Sequence, residues 1–292
     1  MVAERKSSIH DESIFSISQI RKATNNFHSE NIIGEGGYGP VCKGDLDGIP
    51  VAIKSLRPHG TQGFSEYQEE VMVLSKLEHP HIVKLIGVCQ ESCTLVYEYL
   101  PNGTLLDRLS KGLPWEDRVR ILAELRSALA SHRPNAIIHA DLKLTNVLLD
   151  DGDASRLGGF GTARMVHVKP LEEETIIRRT NPKGTIGTGE LTTESDVYAF
   201  GVVILQLLTG LVDGLITSPR KCEGRVKLHS LLDMSAGPWP EVDSERLLNW
   251  RCSMERKQRP VITCDAEWKS LQILTAKAAP AKKARKWNCF AF

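Results

Sequence analysis

Residues 137–150 read IIHADLKLTNVLLD. Two apolar runs, at 137–138 and 147–149, flank a short polar break that holds Asp141, Lys143 and Asn146. Polar side chains gathered between buried runs are ordinarily aimed at a site. Just downstream, residues 156–164 (RLGGFGTAR) set Gly158, Gly159 and Gly161 around Phe160, with no acidic side chain among the nine. Glycine enters backbone angles closed to other residues, so a tight turn accounts for the stretch by itself. The alternative is a site that has lost a part.

Further toward the C-terminus, SDVYAFGVVILQLLTG (195–210) is apolar nearly all round, as a helix at the centre of a large lobe must be. Upstream, WEDRVRILAELRSALA (115–130) aligns Ile121, Leu125 and Ala128 at helical spacing. The character changes before residue 100. HIVKLIGVC (81–89) and TLVYEYL (94–100) read as strands, and Val41–Lys43 and Val51–Leu56 as a hairpin closed by a Gly/Asp turn. Between them GFSEYQEEVMVLSKL (63–77) spaces Phe64, Tyr67, Val71 and Leu74 as the apolar stripe of an amphipathic helix. Residues 1–14 are patternless, and FSISQIRKATNNF (15–27) reads as a short lead-in helix with Ile17, Ile20 and Phe27 as packing points. A strand-rich part before a helical part implies two lobes with a cleft between them.

Two further motifs fall at that cleft. GEGGYGPV (34–41) is a G-x-G-x-x-G-x-V loop between strands, where Gly34, Gly36 and Gly39 let backbone N–H groups approach phosphate oxygens. By itself it is equally well a plain hairpin turn. VAIK follows on the next strand, and Lys54 within it needs an anionic partner if buried. Glu70 is available, while Glu66 and Glu69 are rivals that read as a solvated helix face.

Composition narrows the setting. With 292 residues, 41% hydrophobic and 25% charged, the chain can bury one large core or two small ones. A net charge of +1 offers no global attraction to nucleic acid or to an acidic membrane. The seven cysteines lack CxxC spacing, so neither a zinc site nor a disulfide framework is indicated and a reducing compartment fits. No apolar run reaches the ~18 residues of a membrane span. The first ten residues carry no signal-peptide core and no myristoylation glycine, so a cytoplasmic location is expected.

In their order and register these motifs resemble the eukaryotic protein kinases, over about residues 28–275. FSISQIRKATNNF, IIGEGGYGPVCKG, LVYEYLPNGTLLDRL and SDVYAFGVVILQLLTG resemble more narrowly the plant receptor-like cytoplasmic kinases, including the kinase portion of plant U-box proteins. The resemblance implies an α+β, two-lobed protein-kinase-like fold: a small β-rich N-lobe at about 28–100 and a larger helical C-lobe at about 101–275. A lead-in (1–27) would precede it and a basic tail (276–292) follow it. It also implies roles. The backbone of Gly34, Glu35, Gly36 and Gly39 would cover ATP phosphates, with Lys54 on the α- and β-phosphates and paired to Glu70. Val41, Ala52 and Leu148 would sandwich adenine, Tyr97 would guard the back of the pocket, and Glu98, Tyr99 and Leu100 would offer backbone hydrogen bonds. Asp141 would accept the proton of the attacking hydroxyl, Lys143 would offset γ-phosphate charge, and Asn146 would bind Mg²⁺. Leu74, Leu85, His139 and Phe160 would form an apolar spine, and Asp196 would hold the catalytic loop.

The departures matter as much. Where the family reads Asp-Phe-Gly, this chain reads Gly159-Phe160-Gly161, so the usual second metal ligand is missing and Mg²⁺ binding is expected to be weakened. After Gly187 the segment that forms the peptide floor is short, which leaves Arg259 without its expected glutamate. Ala140 replaces an arginine that would read a phosphate on Thr175, Thr180 or Thr185, and Cys42 replaces a tyrosine. Two function classes follow. One is an ATP-binding pseudokinase that serves as a signalling or scaffold module, with a protein substrate or signalling partner, and this is the reading taken. The other is an active Ser/Thr kinase that transfers the ATP γ-phosphate to protein hydroxyls. The tail AKKARKWNCFAF (281–292) resembles a prenylation box, with Cys289 fourth from the end and five basic residues from Lys277 to Lys286. Peripheral attachment to the plasma membrane would then be available. Ala291 is a poor fit to the box, and a solvated terminus is the plainer reading.

Overall fold

The structure is a computed structural model that describes residues 13–36, 39–55, 61–130, 135–167, 177–178, 190–191, 193–212, 231–240, 242–247 and 268–288. Thr175, Thr180, Thr185, Gly187, Arg259, Cys289, Ala291 and Phe292 lie outside the described residues.

The N-lobe is a six-stranded sheet in the order β1-β5-β6-β4-β3-β2. Its strands are β1 (Ser13–Ile14), β2 (Ile32–Gly36), β3 (Gly39–Leu46), β4 (Ile49–Ser55), β5 (Leu85–Cys89) and β6 (Thr94–Glu98). The β3–β4 hairpin closes at Asp47–Gly48, both at positive φ (54° and 86°), the twist that a two-residue turn needs. Along β4 the alternation is plain. Val51 and Ile53 are buried in an outer cluster with Cys89 and Val96, while Ala52 and Lys54 point to the opposite face. Cys42 is buried on β3, and burial pushes its thiol pKa up.

That outer cluster is covered by α1 (Ile17–Ala23), which Ser16 and Gln19 start with a capping box and which buries Ile20 completely. The lead-in segment is therefore joined to the N-lobe. β1 pairs in parallel with β5 at Ser13↔Gly87 and Ile14↔Val88. This approach requires glycine at 87, since a Cβ there would overlap the Ser13 carbonyl oxygen and lie 2.6 Å from the Phe15 ring. Beyond α1, Asn25, Asn26 and Phe27 take φ of 50°, 57° and 55°. Left-handed backbone costs about 1–2 kcal/mol per L-residue, less for asparagine, so tertiary contacts must hold this turn.

Helix α2 (Thr61–Leu74) corrects the expected stripe. Tyr67 and Leu74 are buried, but Phe64 is 51% exposed, and the carboxylate-bearing Glu66 and Glu70 are buried instead. Glu66 and Glu69 do not form a solvated face. The helix faces Lys54 of β4 and Arg164 of β10, so its inner surface is acidic rather than purely apolar.

The C-lobe is built on α3 (Leu105–Ser110), α4 (Trp115–Ala130), α5 (Thr193–Thr209), α6 (residues 242–247) and α7 (Lys269–Asn288). Ile121, Leu125 and Ala128 of α4 and Phe200, Val203, Ile204 and Leu207 of α5 are buried in one core. Helix α7 runs across the boundary drawn at 275, with Ala278 still buried and Lys277 paired to Asp243 at 2.5 Å. Arg118 is 1% exposed, yet it donates to the Leu113 and Leu207 carbonyls (2.6 and 2.8 Å) and to Asp233 Oδ2 (2.6 Å). No helix among the described residues is long and apolar enough to cross a membrane.

Small antiparallel pairs carry the loops at the cleft: β7 (Asn135–Ile138) with β10 (Arg164–His167), and β8 (Val147–Leu149) with β9 (Ser155–Leu157). β11 (Ile177–Arg178) pairs with β12 (Glu190–Leu191).

Two predictions follow from packing and charge. Gly87→Ala should destabilise the protein by about 1–3 kcal/mol through overpacking, and deletion of residues 1–16 should abolish the difference, both read by denaturant unfolding. For Asp233, burial pushes the carboxyl pKa up, but bonds from Ser235 and Arg118 outweigh this and leave it below its ordinary value of 3.8. Its ionised form therefore stabilises the fold above that value, and the contribution fades as pH falls below it. Asp233→Asn should cost about 1–3 kcal/mol at pH 7, with the gap to the wild-type protein narrowing below about pH 3.8 in an unfolding series.

Candidate functional site

The cleft between the lobes gathers most of the residues singled out in the sequence. β2 carries Gly34, Glu35 and Gly36, paired to β3 so that Gly36 faces Gly39 and Gly34 faces Val41. Nothing lies within 4 Å of where a Gly34 Cβ would stand, so this strand offers open backbone. On the next strand Val41 faces Lys54, and Ala52 faces both Lys43 and Tyr97. Val41, Ala52 and Leu148 are each partly exposed, two from the small lobe and one from β8 of the large lobe. Ala52 and Leu148 pack against the edge of the core while leaving part of their apolar surface open, as the walls of a flat apolar slot would.

Lys54 Nζ lies 2.6 Å from Glu70 Oε2, with the two side chains 12% and 3% exposed. The pairing selects Glu70 from its rivals. Glu69 sits 3.4 Å from Arg164 on β10 instead. Tyr97 is buried behind this pair, and its hydroxyl makes no well-aligned hydrogen bond. Burial above all, then the Glu70 charge beside it, pushes the phenol pKa well above its ordinary value. It stays protonated. Glu98 is locked to the neighbouring strand, donating its N–H to the Lys84 carbonyl (3.1 Å) and accepting the Lys84 N–H on its side chain (2.8 Å). Tyr99 carries the Lys43 ammonium over its ring at 4.5 Å, and Leu100 is buried.

In the polar break, Lys143 Nζ contacts both Asp141 carboxylate oxygens at 3.0 and 2.8 Å. Asn146 Nδ2 donates to the Asp141 carbonyl (2.7 Å) and to its carboxylate (3.0 Å). The loop is held from below by Asp196, 5% exposed on α5, which accepts the N–H of His139 (2.6 Å) and of Ala140 (2.9 Å). Burial pushes the Asp196 carboxyl pKa up, against the lowering effect of His139 and these two bonds. Ala140 takes φ +64°, which those bonds enforce. His139 Nδ1 accepts the Asp141 N–H (3.2 Å), so its other ring nitrogen carries the proton and donates to the Gly158 carbonyl at 2.9 Å. Phe160 packs edge-on against His139 at 4.8 Å, and both are buried with Leu74 and Leu85. Thr162, not singled out in the sequence, donates to the His139 carbonyl (3.1 Å). Arg164 was likewise missed, because its partner is set by the β7–β10 pairing and not by spacing.

Gly159 occupies left-handed backbone, φ 81° and ψ 40°. A Cβ there would lie 2.7–2.9 Å from three atoms of the Asn146 carboxamide. The carboxamide thus takes space that any side chain at 159 would need. Among the described residues no group of three or more His, Cys, Asp or Glu could hold a metal ion. Near Gly159 the donors are one neutral amide and Asp141, which Lys143 already engages. That set does not fit Mg²⁺, a hard cation that favours carboxylate oxygens.

The family described as protein tyrosine and serine/threonine kinase matches residues 27–271. U-box domain-containing protein 70 of Oryza sativa subsp. japonica is 42% identical over 266 residues, covering 84% of this chain and 33% of that protein. U-box domain-containing protein 33 of Arabidopsis thaliana is 42% identical over 282 residues, covering 90% of this chain and 33% of its own. The chain therefore spans about a third of the length of these relatives.

Asp196→Asn should destabilise the protein by about 1–3 kcal/mol. An amide would set a donor against one of two backbone N–H groups that each require an acceptor. Chemical denaturation would measure the loss.

Proposed function

This chain belongs to the protein kinase family, and on that premise we propose that it is a nucleotide-binding member of the serine/threonine type whose phosphoryl transfer is impaired. It then works as a signalling or scaffold module. Lys54 held by Glu70 supports the binding half of this reading, since a fixed ammonium beside open glycine backbone suits α- and β-phosphates. Val41, Ala52 and Leu148 suit the adenine faces, and the Glu98–Leu100 backbone its edge.

One observation carries the impairment. At Gly159 there is no carboxylate, and the Asn146 carboxamide has closed over the place where one would stand while bonding Asp141. Losing one charged partner at a buried site costs about 3–5 kcal/mol, which would slow transfer by about 10² to 10⁴. The arrangement therefore supports nucleotide binding that draws little on Mg²⁺.

A second reading, an active Ser/Thr kinase, is favoured by the intact Lys54–Glu70 pair and by Phe160 packed on His139. Transfer to a generic protein substrate, with Asp141→Asn as the blank, separates the two. Turnover within the ~1–100 s⁻¹ of kinases would favour the active reading.

In a thermal-shift series, ATP should raise the melting temperature nearly equally with and without Mg²⁺. Gly159→Asp should make the shift depend on Mg²⁺, because aspartate accepts left-handed backbone and Asn146 can swing aside. A large Mg²⁺-dependent shift in the wild-type protein would sink this reading.

A further inference from the structure

The left-handed turn Asn25–Phe27 contains no glycine, and although asparagine tolerates such backbone, Phe27 bears its full cost. It is held at Thr24, which is fully buried. The Thr24 hydroxyl uses both its capacities: it donates to the Ile20 carbonyl at 2.8 Å and accepts the Phe27 N–H at 3.0 Å. The Thr24 carbonyl accepts the His28 N–H (3.2 Å) and the Asn31 side-chain amide (2.9 Å). One residue thus fixes both ends of the connection from α1 to Asn31. The next residue, Ile32, begins β2, the strand that carries Gly34 and Gly36.

The end of α1 is itself seated on the sheet. A Cβ at Gly44 of β3 would lie 3.2 Å from the Ala23 carbonyl, so the helix end rests on the strand that pairs with β2. β2 is weakly specified on its own account, with a register irregularity between Ile32 and Gly34. Its entry point then depends on what precedes it.

We propose that Thr24 is a positioning residue for the nucleotide site: through the turn at Asn25–Phe27 and the bond to Asn31 it sets where the glycine-bearing strand starts. The segment before the kinase core is thereby coupled to nucleotide affinity. This rests on the nucleotide-binding reading above, but the ordering of β2 can be measured without any nucleotide.

The test uses the full chain, with metal-free ADP as the probe and hydrogen exchange of the Ile32–Gly36 amides in the unliganded protein as an independent readout. Thr24→Val keeps the shape and removes both hydroxyl bonds, and Thr24→Ser restores both. Thr24→Val should weaken ADP binding about five-fold or more, within the range of site-to-site coupling, and speed exchange at Ile32–Gly36. Thr24→Ser should return both to near the wild-type values. Asn31→Ala leaves α1 intact and should shift both in the same direction, which covers the case in which Thr24→Val does not fold. Variants that lower the melting temperature while leaving both exchange at Ile32–Gly36 and ADP affinity unchanged would overturn the proposal, reducing Thr24 to a helix-end residue. Wild-type protein that fails to bind ADP would sink the nucleotide-binding reading and the claimed coupling, while exchange at Ile32–Gly36 would still decide whether Thr24 orders β2.

Discussion

The buried carboxylate of Asp196 is the point from which the cleft is organised. It lies on α5, inside the largest core, and both its oxygens accept backbone N–H groups from the loop that carries Asp141. Ionised carboxylates are costly to bury, and this one is tolerated because fixed donors replace the water it lost. The constraint then propagates. With His139 and Ala140 pinned, the His139 ring spans from the Asp141 N–H to the Gly158 carbonyl, and Phe160 stacks against its edge. Loop, turn and spine are set relative to the helical lobe before any ligand enters.

The charges above that frame are matched in pairs. Lys54, Lys143 and Arg164 each have an acidic partner, at Glu70, Asp141 and Glu69. Those carboxylates are committed to cations, and position 159 supplies no further one. In the low dielectric of a cleft such pairs attract more strongly than in water. Asn146 bonds Asp141 from a position that glycine at 159 permits, because it presents no Cβ to oppose it.

The N-terminal segment has a similar logic at smaller scale. Glycine at 87 lets β1 come against β5, and glycine at 44 lets the end of α1 rest on β3. Both close approaches need the neighbour's backbone in place. Neither is visible as a local pattern.

Much was legible in the sequence because the relevant signals are short-range. An apolar run beside an Asp-Gly turn identified β4 and its hairpin, helical spacing identified α4, and a stretch apolar nearly all round identified α5, since each depends on neighbours within a few residues. The absence of a carboxylate at position 159 was equally plain, as a covalent fact about the chain. The outward face of α2 was not legible, because Phe64 is exposed and Glu66 buried, and Glu69 meets an Arg164 that arrives from another element. Spacing alone left Glu70 among rivals, and the family resemblance singled it out; the approach of Asn146 to Gly159 and the role of Thr24 depend on groups distant in the chain or on an unusual backbone turn. By itself the sequence determined which groups this protein possesses and the local elements that carry them. Tertiary structure alone decided which of those groups meet, because the energy of a buried charge or hydrogen bond is set by its partner's position and not by either residue's identity.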